Sequence, residues 1–308
     1  MSAVVVFIIF AICLIIAIPI SISLGIVAVL PGAFDASFTA SAGYVIRSMV
    51  GGIDSFPLLA VPMFVLAGIL MAHGKISEKL FDVFVYFLGN KRAGIPCAVI
   101  ITCLFYGAIS GSAPATVAAV GSMTIPLLIE LGYEKDFSTA IVAVAGGLGV
   151  IIPPSIPFIM YAMATGESVS DLFLAGIVPG MMISALLIFY AYYYCRRHGE
   201  DREKIQAKMD QLKTKGFVNI LKESIWALLS PVIVLGCIYT GVASPTEAAV
   251  ISVFYSLFVS LFIYRSIKVK QIWGIMVEAM KTYRVFACAH ADAGTAGCQC
   301  MDHDTFLQ

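Results

Sequence analysis

The chain has 308 residues, of which 60% are hydrophobic and only 12% are charged, and its mean hydropathy is +0.96. Soluble domains carry about 25% charged residues, so this composition excludes an ordinary soluble enzyme and predicts an all-α polytopic membrane protein. The formal net charge of zero gives no support to nucleic-acid binding.

The first ninety residues predict spans that alternate with surface helices. Residues 4–30 are apolar without a charge, which is too long for a secretory signal and indicates a first span. Residues 31–56 are mixed and are expected at the membrane surface, and residues 57–72 cross back. Residues 75–90 place apolar side chains at helical spacing among charges, which is typical of an interfacial helix.

Two apolar arms follow, residues 94–109 and 114–131, and the sequence SGSAP separates them. Pro114 lacks an amide hydrogen, and the glycine and serines favour non-helical backbone, so a smooth membrane helix is not expected here. Two arrangements remain open: a re-entrant hairpin that turns back at the break, or two crossings joined by a loop. We favour the hairpin because a loop that faces water would be more polar.

A second apolar segment, residues 137–164, is broken by the sequence GGLGVIIPPS. Irregular backbone at membrane depth survives only where protein buries it or where it lines a wet cavity. Paired interruptions of this kind mark the binding site of a transporter. The alternative is that these residues are packing glycines and proline kinks of ordinary bundle helices.

The broken ends suggest which ligands would bind there. Half-helices that begin near Pro114 and Ser155 direct positive dipole ends into the breaks, which suits a carboxylate. Carbonyl oxygens released by the breaks suit a hard cation such as Na⁺, and they belong to Ser110, Ser112, Gly147 and Val150.

The rest of the chain predicts further spans and one charged stretch. Residues 172–195 form a span that ends in a tyrosine-rich collar, and residues 196–215 are expected to be a solvated loop. Spans are predicted to end at Tyr239 and Tyr264, and residues 267–283 predict a second surface helix. With the N-terminus in the cytoplasm, every Lys and Arg except Arg47 lies on the cytoplasmic side, which is 18 of 19.

Residues 285–308 lose the apolar periodicity. His290, Cys298, Cys300 and His303 lack the spacing of a structural zinc site, so no metal other than Na⁺ is expected. We expect a truncated or frameshifted end, and therefore a chain that inserts without transporting. Ser112 is the one nucleophile that an intramembrane hydrolase could use, but no histidine lies in a predicted span, so we expect no enzyme.

Four ordered motifs, GAISGSAPATVAAVGSMTIPLL, GGLGVIIPPSIPFIMY, DLFLAGIVPG and SPTEAA, resemble the large membrane subunit of TRAP transporters, the DctM family. The resemblance extends from Val4 to Arg284. It implies a Na⁺-coupled secondary importer of the bacterial inner membrane that moves organic acids, such as C4-dicarboxylates or sialic acids, by an elevator motion. The implied partners are a small four-span membrane subunit, a periplasmic binding protein and membrane lipid.

The resemblance also implies the fold and the site. Its fold is an inverted-repeat transporter with a re-entrant hairpin and broken helices, of which the second repeat is incomplete here. Na⁺ would lie between the hairpin tip and the second break, at Ser110, Gly111, Ser112, Gly147, Gly149, Val150 and Pro153. The substrate would bind at Pro114, Thr116, Pro154 and Ser155. No cofactor is expected besides Na⁺ as the coupling ion.

Five segments follow from this expectation. They are scaffold spans with surface helices in residues 1–90, half of the transport domain in 91–195, a basic cytoplasmic loop with a surface helix in 196–227, the start of the second repeat in 228–284 and a polar tail in 285–308. The alternative functions are a carboxylate carrier of the same superfamily that needs no binding protein, an inactive permease, and a scaffold without transport activity.

Overall fold

The computed structural model describes residues 3–18, 22–23, 25–27, 56–214 and 216–291. Most of the predicted surface segment at residues 31–56 and the polar tail from residue 292, with Cys298, Cys300 and His303, lie outside these residues. All regular structure in the described part is helical, which confirms the all-α class. The chain divides into two compact units, Met1–Ser55 with Met280–Gln308, and Phe56–Ala279.

The described part contains twelve α-helices of ten or more residues. In chain order they are α1 (Ala3–Ile15), α2 (Ala60–His73), α3 (Ile76–Leu88), α4 (Gly94–Ser110), α5 (Ala113–Glu130), α6 (Lys135–Gly146), α7 (Ile156–Thr165), α8 (Val169–His198), α9 (Arg202–Thr214), α10 (Phe217–Tyr239), α11 (Pro245–Phe258) and α12 (Val269–Ala291).

Among the described residues, four helices are long and apolar enough to cross a membrane by length and composition, and a fifth crossing results if the bent pair α2 and α3 is one span. This confirms the polytopic membrane protein. The four are Ala113–Glu130, Val169–His198, Ile220–Tyr239 and Pro245–Ile263. Large apolar side chains on α8 are exposed, as expected of a helix that faces lipid; they include Leu174, Val178 and Phe189.

The first span differs from its prediction. The sequence predicts a first span within the apolar run of residues 4–30, whereas α1 ends at Ile15 and Ala17 adopts a positive φ of 62°. Pro19 follows in the sequence, and a proline disfavours helical backbone at the residue before it. An apolar run can contain a proline among its isoleucines, so hydropathy alone does not show this interruption.

Helices α2 and α3 meet at a bend of 66° around Gly74 and Lys75, and Lys75 has a positive φ of 58°. The predicted amphipathic helix is therefore present as α3, which packs against α4 and α10. Its buried apolar residues include Leu80, Phe81 and Val83. The apolar face of α3 thus contacts other helices of the protein.

The charged stretch at residues 196–215 is not the solvated loop that its composition predicts. It contains α9, which buries Ile205 and Met209. The Glu200 side chain, just before α9, is only 3% exposed. Charge density alone misleads here because one apolar face and one buried carboxylate are enough to dock the segment on the helices before it.

Helices α2 and α11 form the most extensive helix pair. Ser244 and Glu247 cap the start of α11 in a reciprocal capping box. Its buried face carries small residues, which let two membrane helices approach closely; they include Ala248, Ser252 and Ser256. Where α2 ends, a Cβ added to Gly74 would stand 2.2 Å from the Ser260 hydroxyl oxygen.

Helix α12 continues to Ala291, past the predicted end of the second surface helix at residue 283.

Candidate functional site

The first break is a two-residue turn between α4 and α5. Gly111 ends α4 in the left-handed conformation with φ 62°, and its N–H donates to the carbonyl of Gly107 at 2.9 Å. Ser112 is extended and precedes α5, in which Pro114 occupies the first turn. Glycine is the residue that adopts positive φ at little cost, and proline is tolerated in a first helical turn. The residue types of SGSAP therefore specify this turn locally.

The turn is buried by protein, which supports the re-entrant arrangement over an exposed loop. Ser110 and Ser112 are 1% and 5% exposed, and Thr116 is fully buried. The outer ends of the two arms also lie together, because the Ala93 N–H and the Tyr133 hydroxyl both donate to Oε1 of Glu200. Helices α4 and α5 thus form a hairpin whose tip is enclosed by the protein.

Three oxygen atoms meet at the hairpin tip. The Ser112 carbonyl accepts bonds from the Thr116 N–H at 3.0 Å and the Thr116 hydroxyl at 2.8 Å. The hydroxyl oxygens of Ser110 and Thr116 are 3.1 Å apart, and Ser110 Oγ is 3.4 Å from the Ser112 carbonyl oxygen. The tip is therefore rich in oxygen acceptors.

The second break separates α6 from α7. Gly147–Val150 form a short 3₁₀ helix, and the N–H groups of Ile151 and Ile152 both donate to the Leu148 carbonyl. The Ser155 hydroxyl donates to the Val150 carbonyl at 2.6 Å and accepts from the Phe158 N–H at 3.4 Å, so it caps α7. The peptide bond between Pro153 and Pro154 is cis.

The two breaks touch through their backbones. The Ile156 N–H donates to the Gly111 carbonyl at 3.3 Å. A Cβ at Gly107 would stand 2.6 Å from Cα of Gly149, and a Cβ at Gly111 would stand 2.8 Å from the Pro154 carbonyl oxygen. Such approaches require glycine because any side chain would separate the segments.

Gly149 faces the oxygen atoms of the tip. A Cβ at this position would lie 2.5 Å from the Thr116 hydroxyl oxygen and 3.0 Å from the Ser112 carbonyl oxygen. We call Ser110, Ser112, Thr116 and Gly149 the tip cluster. The segments 107–117 and 146–158 contain no Asp, Glu, Lys or Arg, so the cluster acts through neutral oxygens and backbone dipoles.

A family model described as "Tripartite ATP-independent periplasmic transporter, DctM component" matches residues 7–298. The chain belongs to this DctM family. Members of this family are components of transporters rather than enzymes, and the apolar helices of this chain agree with the inner-membrane location of its relatives. The match continues past Arg284, where the resemblance of the motifs ends.

Curated relatives agree with this assignment. The chain is 42% identical over 273 residues to the isethionate TRAP transporter permease protein DctMQ of Oleidesulfovibrio alaskensis, an alignment that covers 89% of this chain and 42% of the relative. It is 39% identical over 228 residues to the C4-dicarboxylate large permease of Pseudomonas aeruginosa, covering 74% and 52%. It is 34% identical over 241 residues to the sialic acid permease protein SiaT of Haemophilus influenzae, covering 78% and 38%. The chain spans about half the length of such relatives.

The residues predicted for Na⁺ have different surroundings in the structure. Ser110, Gly111, Ser112 and Gly149 lie at the contact between the two breaks, as described above. The Val150 carbonyl already accepts the Ser155 hydroxyl, and Pro153 is buried in the second break. A Cβ at Gly147 would meet no atom within 4 Å, so this residue does not take part in the close contact.

The residues predicted for the substrate also separate. Thr116 is bonded inside the tip cluster, and Pro154 contributes its carbonyl oxygen to the contact with Gly111. Pro114 is exposed, whereas Ser155 is fully buried. Sequence patterns could not distinguish the four because each lies within one or two residues of a break.

The first turn of α7 has few free N–H groups left to bind an anion. The N–H groups of Ile156, Phe158 and Ile159 donate to protein oxygens, and Pro157 has no N–H. In the first turn of α5, Pro114 has no N–H and the Thr116 N–H is bonded. Within the described residues, the structure records no acceptor for the N–H groups of Ala113 and Ala115.

Sequence reasoning missed the residues that support the tip from α2. The Tyr106 hydroxyl, fully buried on α4, donates to the Gly68 carbonyl at 2.8 Å. A Cβ at Gly68 would stand 3.0 Å from Cβ of Ser110. A small residue inside an apolar helix was the only signal, and it does not identify the partner helix.

Proposed function

We propose that this DctM chain contributes the membrane-embedded part of a Na⁺-coupled importer of organic acids, with Na⁺ bound where the hairpin tip meets the second break. The tip cluster is the single observation that carries this proposal. It gathers neutral oxygen atoms at a buried contact between two backbone segments. The contact lies where apolar helices are interrupted, which is typical of a transporter's binding site.

The Na⁺ assignment follows from the chemistry of these acceptors. Hard cations take oxygen ligands, and the oxygen atoms gathered at the tip are neutral carbonyl and hydroxyl oxygens of that kind. The Ser112 carbonyl and the hydroxyls of Ser110 and Thr116 would provide ligands at the tip. Backbone carbonyls of the second break would complete the site; those proposed belong to Gly147, Gly149, Val150 and Pro153, with Gly111 contributing from the tip.

An organic acid would bind beside this cation. The breaks contain no basic side chain, so recognition of a carboxylate relies on helix dipoles, N–H groups and the bound Na⁺. We assign the main role to the N-terminus of α5, through the N–H groups of Ala113 and Ala115, because the first turn of α7 is already bonded. Pro114, Thr116, Pro154 and Ser155 shape the surrounding wall.

The assembly proposed for the chain comes from its family. We propose a small four-span membrane subunit and a periplasmic binding protein as partners, since the family is described as tripartite and one relative is named DctMQ. The substrate class is an organic anion, because relatives are named for isethionate, C4-dicarboxylates and sialic acid. Residues 91–195 hold both breaks and would form the moving half of the site.

Hydrogen–deuterium exchange tests the cation site without requiring transport. The chain is reconstituted in lipid nanodiscs, and exchange is compared in NaCl and in choline chloride of equal ionic strength. We expect Na⁺ to slow exchange in peptides that cover residues 107–118 and 146–156. Gly149→Ala should abolish this protection. Gly147→Ala keeps its backbone carbonyl as a proposed ligand and adds a methyl where no atom lies within 4 Å, so it should preserve the protection. Equal exchange in the two salts would refute the Na⁺ site.

A binding assay tests the substrate class without requiring transport. In nanodiscs that contain the chain in NaCl, exchange at residues 113–118 is compared with an excess of an organic acid, with its uncharged amide and with neither. We expect the acid alone to slow exchange, because N–H dipoles and bound Na⁺ favour a negative charge. Equal slowing by the amide would contradict carboxylate recognition.

A further inference from the structure

Glu200 is a buried carboxylate at the base of the hairpin, far along the chain from either break. It lies in the connection between α8 and α9, and its side chain is 3% exposed. A buried carboxylate costs free energy unless charges and hydrogen-bond donors compensate it. Its partners therefore indicate what it holds in place.

One carboxylate oxygen of Glu200 joins both ends of the hairpin. Oε1 accepts the Ala93 N–H at 2.9 Å and the Tyr133 hydroxyl at 2.8 Å. Ala93 immediately precedes α4, and Tyr133 lies three residues after the end of α5 at Glu130. The pKa of Tyr133 is raised, first by burial and then by the adjacent carboxylate, so its hydroxyl stays a donor.

The other carboxylate oxygen is paired with a cation. Arg202 Nη2 is 3.1 Å from Oε2 of Glu200, and Arg202 Nη1 donates to the Asn90 carbonyl at 3.4 Å. The loop before α4 is thus held at two points by residues 200 and 202. We call Glu200, Ala93, Tyr133 and Arg202 the base cluster.

Ala93 shows that this attachment imposes a specific backbone geometry. It is fully buried and has a positive φ of 58°, which residues other than glycine rarely adopt. Such a conformation persists where the surroundings hold it, and here the Ala93 N–H is bonded to Glu200. The carboxylate therefore fixes the direction in which α4 leaves the loop.

We propose that Glu200 is a positioning residue that ties both ends of the hairpin to the α8–α9 connection and thereby sets the tip against Gly149. Helix α4 has 17 residues, so the tip lies about 25 Å from this attachment. Over that length, a small change of helix direction at the base becomes a larger displacement at the tip. The part of this proposal that concerns Na⁺ rests on the proposed function.

The test measures exchange at the base and Na⁺ protection at the tip in one chain. Variants Glu200→Ala and Tyr133→Phe are compared with Glu203→Gln, which removes a neighbouring exposed carboxylate of α9. All are reconstituted in nanodiscs and titrated with NaCl at constant ionic strength. Peptides of α2 that exclude Gly68, the residue in contact with the tip, report whether the rest of the protein stays folded.

We expect Glu200→Ala to accelerate exchange at residues 93–97 and 131–134 by about tenfold or more, since a hydrogen bond to a charged group is lost. The Na⁺ concentration for half-maximal tip protection should rise by about twofold to thirtyfold. Tyr133→Phe should give a smaller change of the same kind. Glu203→Gln and the α2 peptides should match the wild-type chain.

The outcomes separate the two proposals. Unchanged exchange at the base in Glu200→Ala would overturn the attachment. Faster exchange at the base with an unchanged half-saturating Na⁺ concentration would overturn the positioning role. If the wild-type chain shows no Na⁺ protection, the proposed function fails, and exchange at the tip in choline chloride then tests the positioning role by itself. Faster exchange at the tip in Glu200→Ala would support that role, and unchanged exchange would overturn it.

Discussion

Gly149 stands against Thr116 so closely that a Cβ at position 149 would lie 2.5 Å from the threonine hydroxyl oxygen. These residues belong to different breaks, 33 positions apart in the sequence. Their contact joins the 3₁₀ helix of the second break to the first turn of α5, and it accounts for a glycine where helix propensity would favour alanine. The contact also predicts a clear difference in stability between alanine variants at positions 149 and 147.

Gly149→Ala should lower the free energy of unfolding by about 1–3 kcal/mol, because the added methyl overpacks a buried contact. Gly147→Ala lies in the same 3₁₀ helix, but its methyl would meet no atom within 4 Å, so we expect a change within about 0.5 kcal/mol or a small stabilisation. Denaturant unfolding in mixed micelles measures both. Gly149→Leu should lower the free energy of unfolding more than Gly149→Ala does. Equal stability of the two alanine variants would contradict this prediction, because it would show that the contact of Gly149 adjusts to the added methyl.

Thr116→Val removes a hydroxyl that bonds the Ser112 carbonyl and lies beside the Ser110 hydroxyl. We expect a loss of about 1–2 kcal/mol in unfolding free energy, and a higher Na⁺ concentration for tip protection. Thr124→Val is the control, because the Thr124 hydroxyl donates to the Val120 carbonyl of its own helix. A Na⁺ dependence that shifts equally in both variants would remove Thr116 from the cation site.

Gly111→Ala tests the contact between the breaks through the backbone. Gly111 and Gly166 both end helices with positive φ, at 62° and 76°. Alanine at either position costs about 1–2 kcal/mol from conformation alone. At Gly111 the methyl would also stand 2.8 Å from the Pro154 carbonyl oxygen, whereas at Gly166 it would meet nothing within 4 Å. Gly111→Ala should therefore unfold more easily than Gly166→Ala, and equal stabilities would contradict a tight contact.

Asp201 gives α9 a dependence on pH. The Lys204 N–H donates to Asp201 Oδ1 at 3.3 Å and the Lys204 ammonium is 3.2 Å from Oδ2. These contacts lower the pKa of Asp201 below 3.8, the backbone hydrogen bond contributing most. A lowered pKa stabilises the folded state above pH 3.8, and this contribution is lost as pH falls through the lowered value.

Amide protection factors at the start of α9 measure that loss. We expect protection at residues 203–206 to fall below pH 3.8 in the wild-type chain. Asp201→Asn keeps a good N-cap residue without the titratable charge, so its protection should vary less over the same interval. Matching profiles for the two chains would assign the acid sensitivity to another group.

Local residue chemistry predicts the two central breaks of the chain. The turn at Gly111 and Pro114 and the irregular stretch around Pro153 follow from backbone constraints that each residue carries with it. It does not predict the end of α1 before Pro19, where the apolar composition suggests a longer first helix. The inverted repeat and the five segments stay predictions.

The sequence by itself determined the membrane class, the two breaks and the motifs of the DctM family, because hydropathy, proline and glycine act locally. Only the tertiary structure decided which atoms of the breaks meet, since the contact of Gly107 with Gly149 depends on how separate helices pack. It also decided that the first turn of α7 is already bonded. The burial of Glu200 is likewise decided by the tertiary structure. A carboxylate in a charged stretch is expected to face water, and this one is buried because donors from two distant segments bind it.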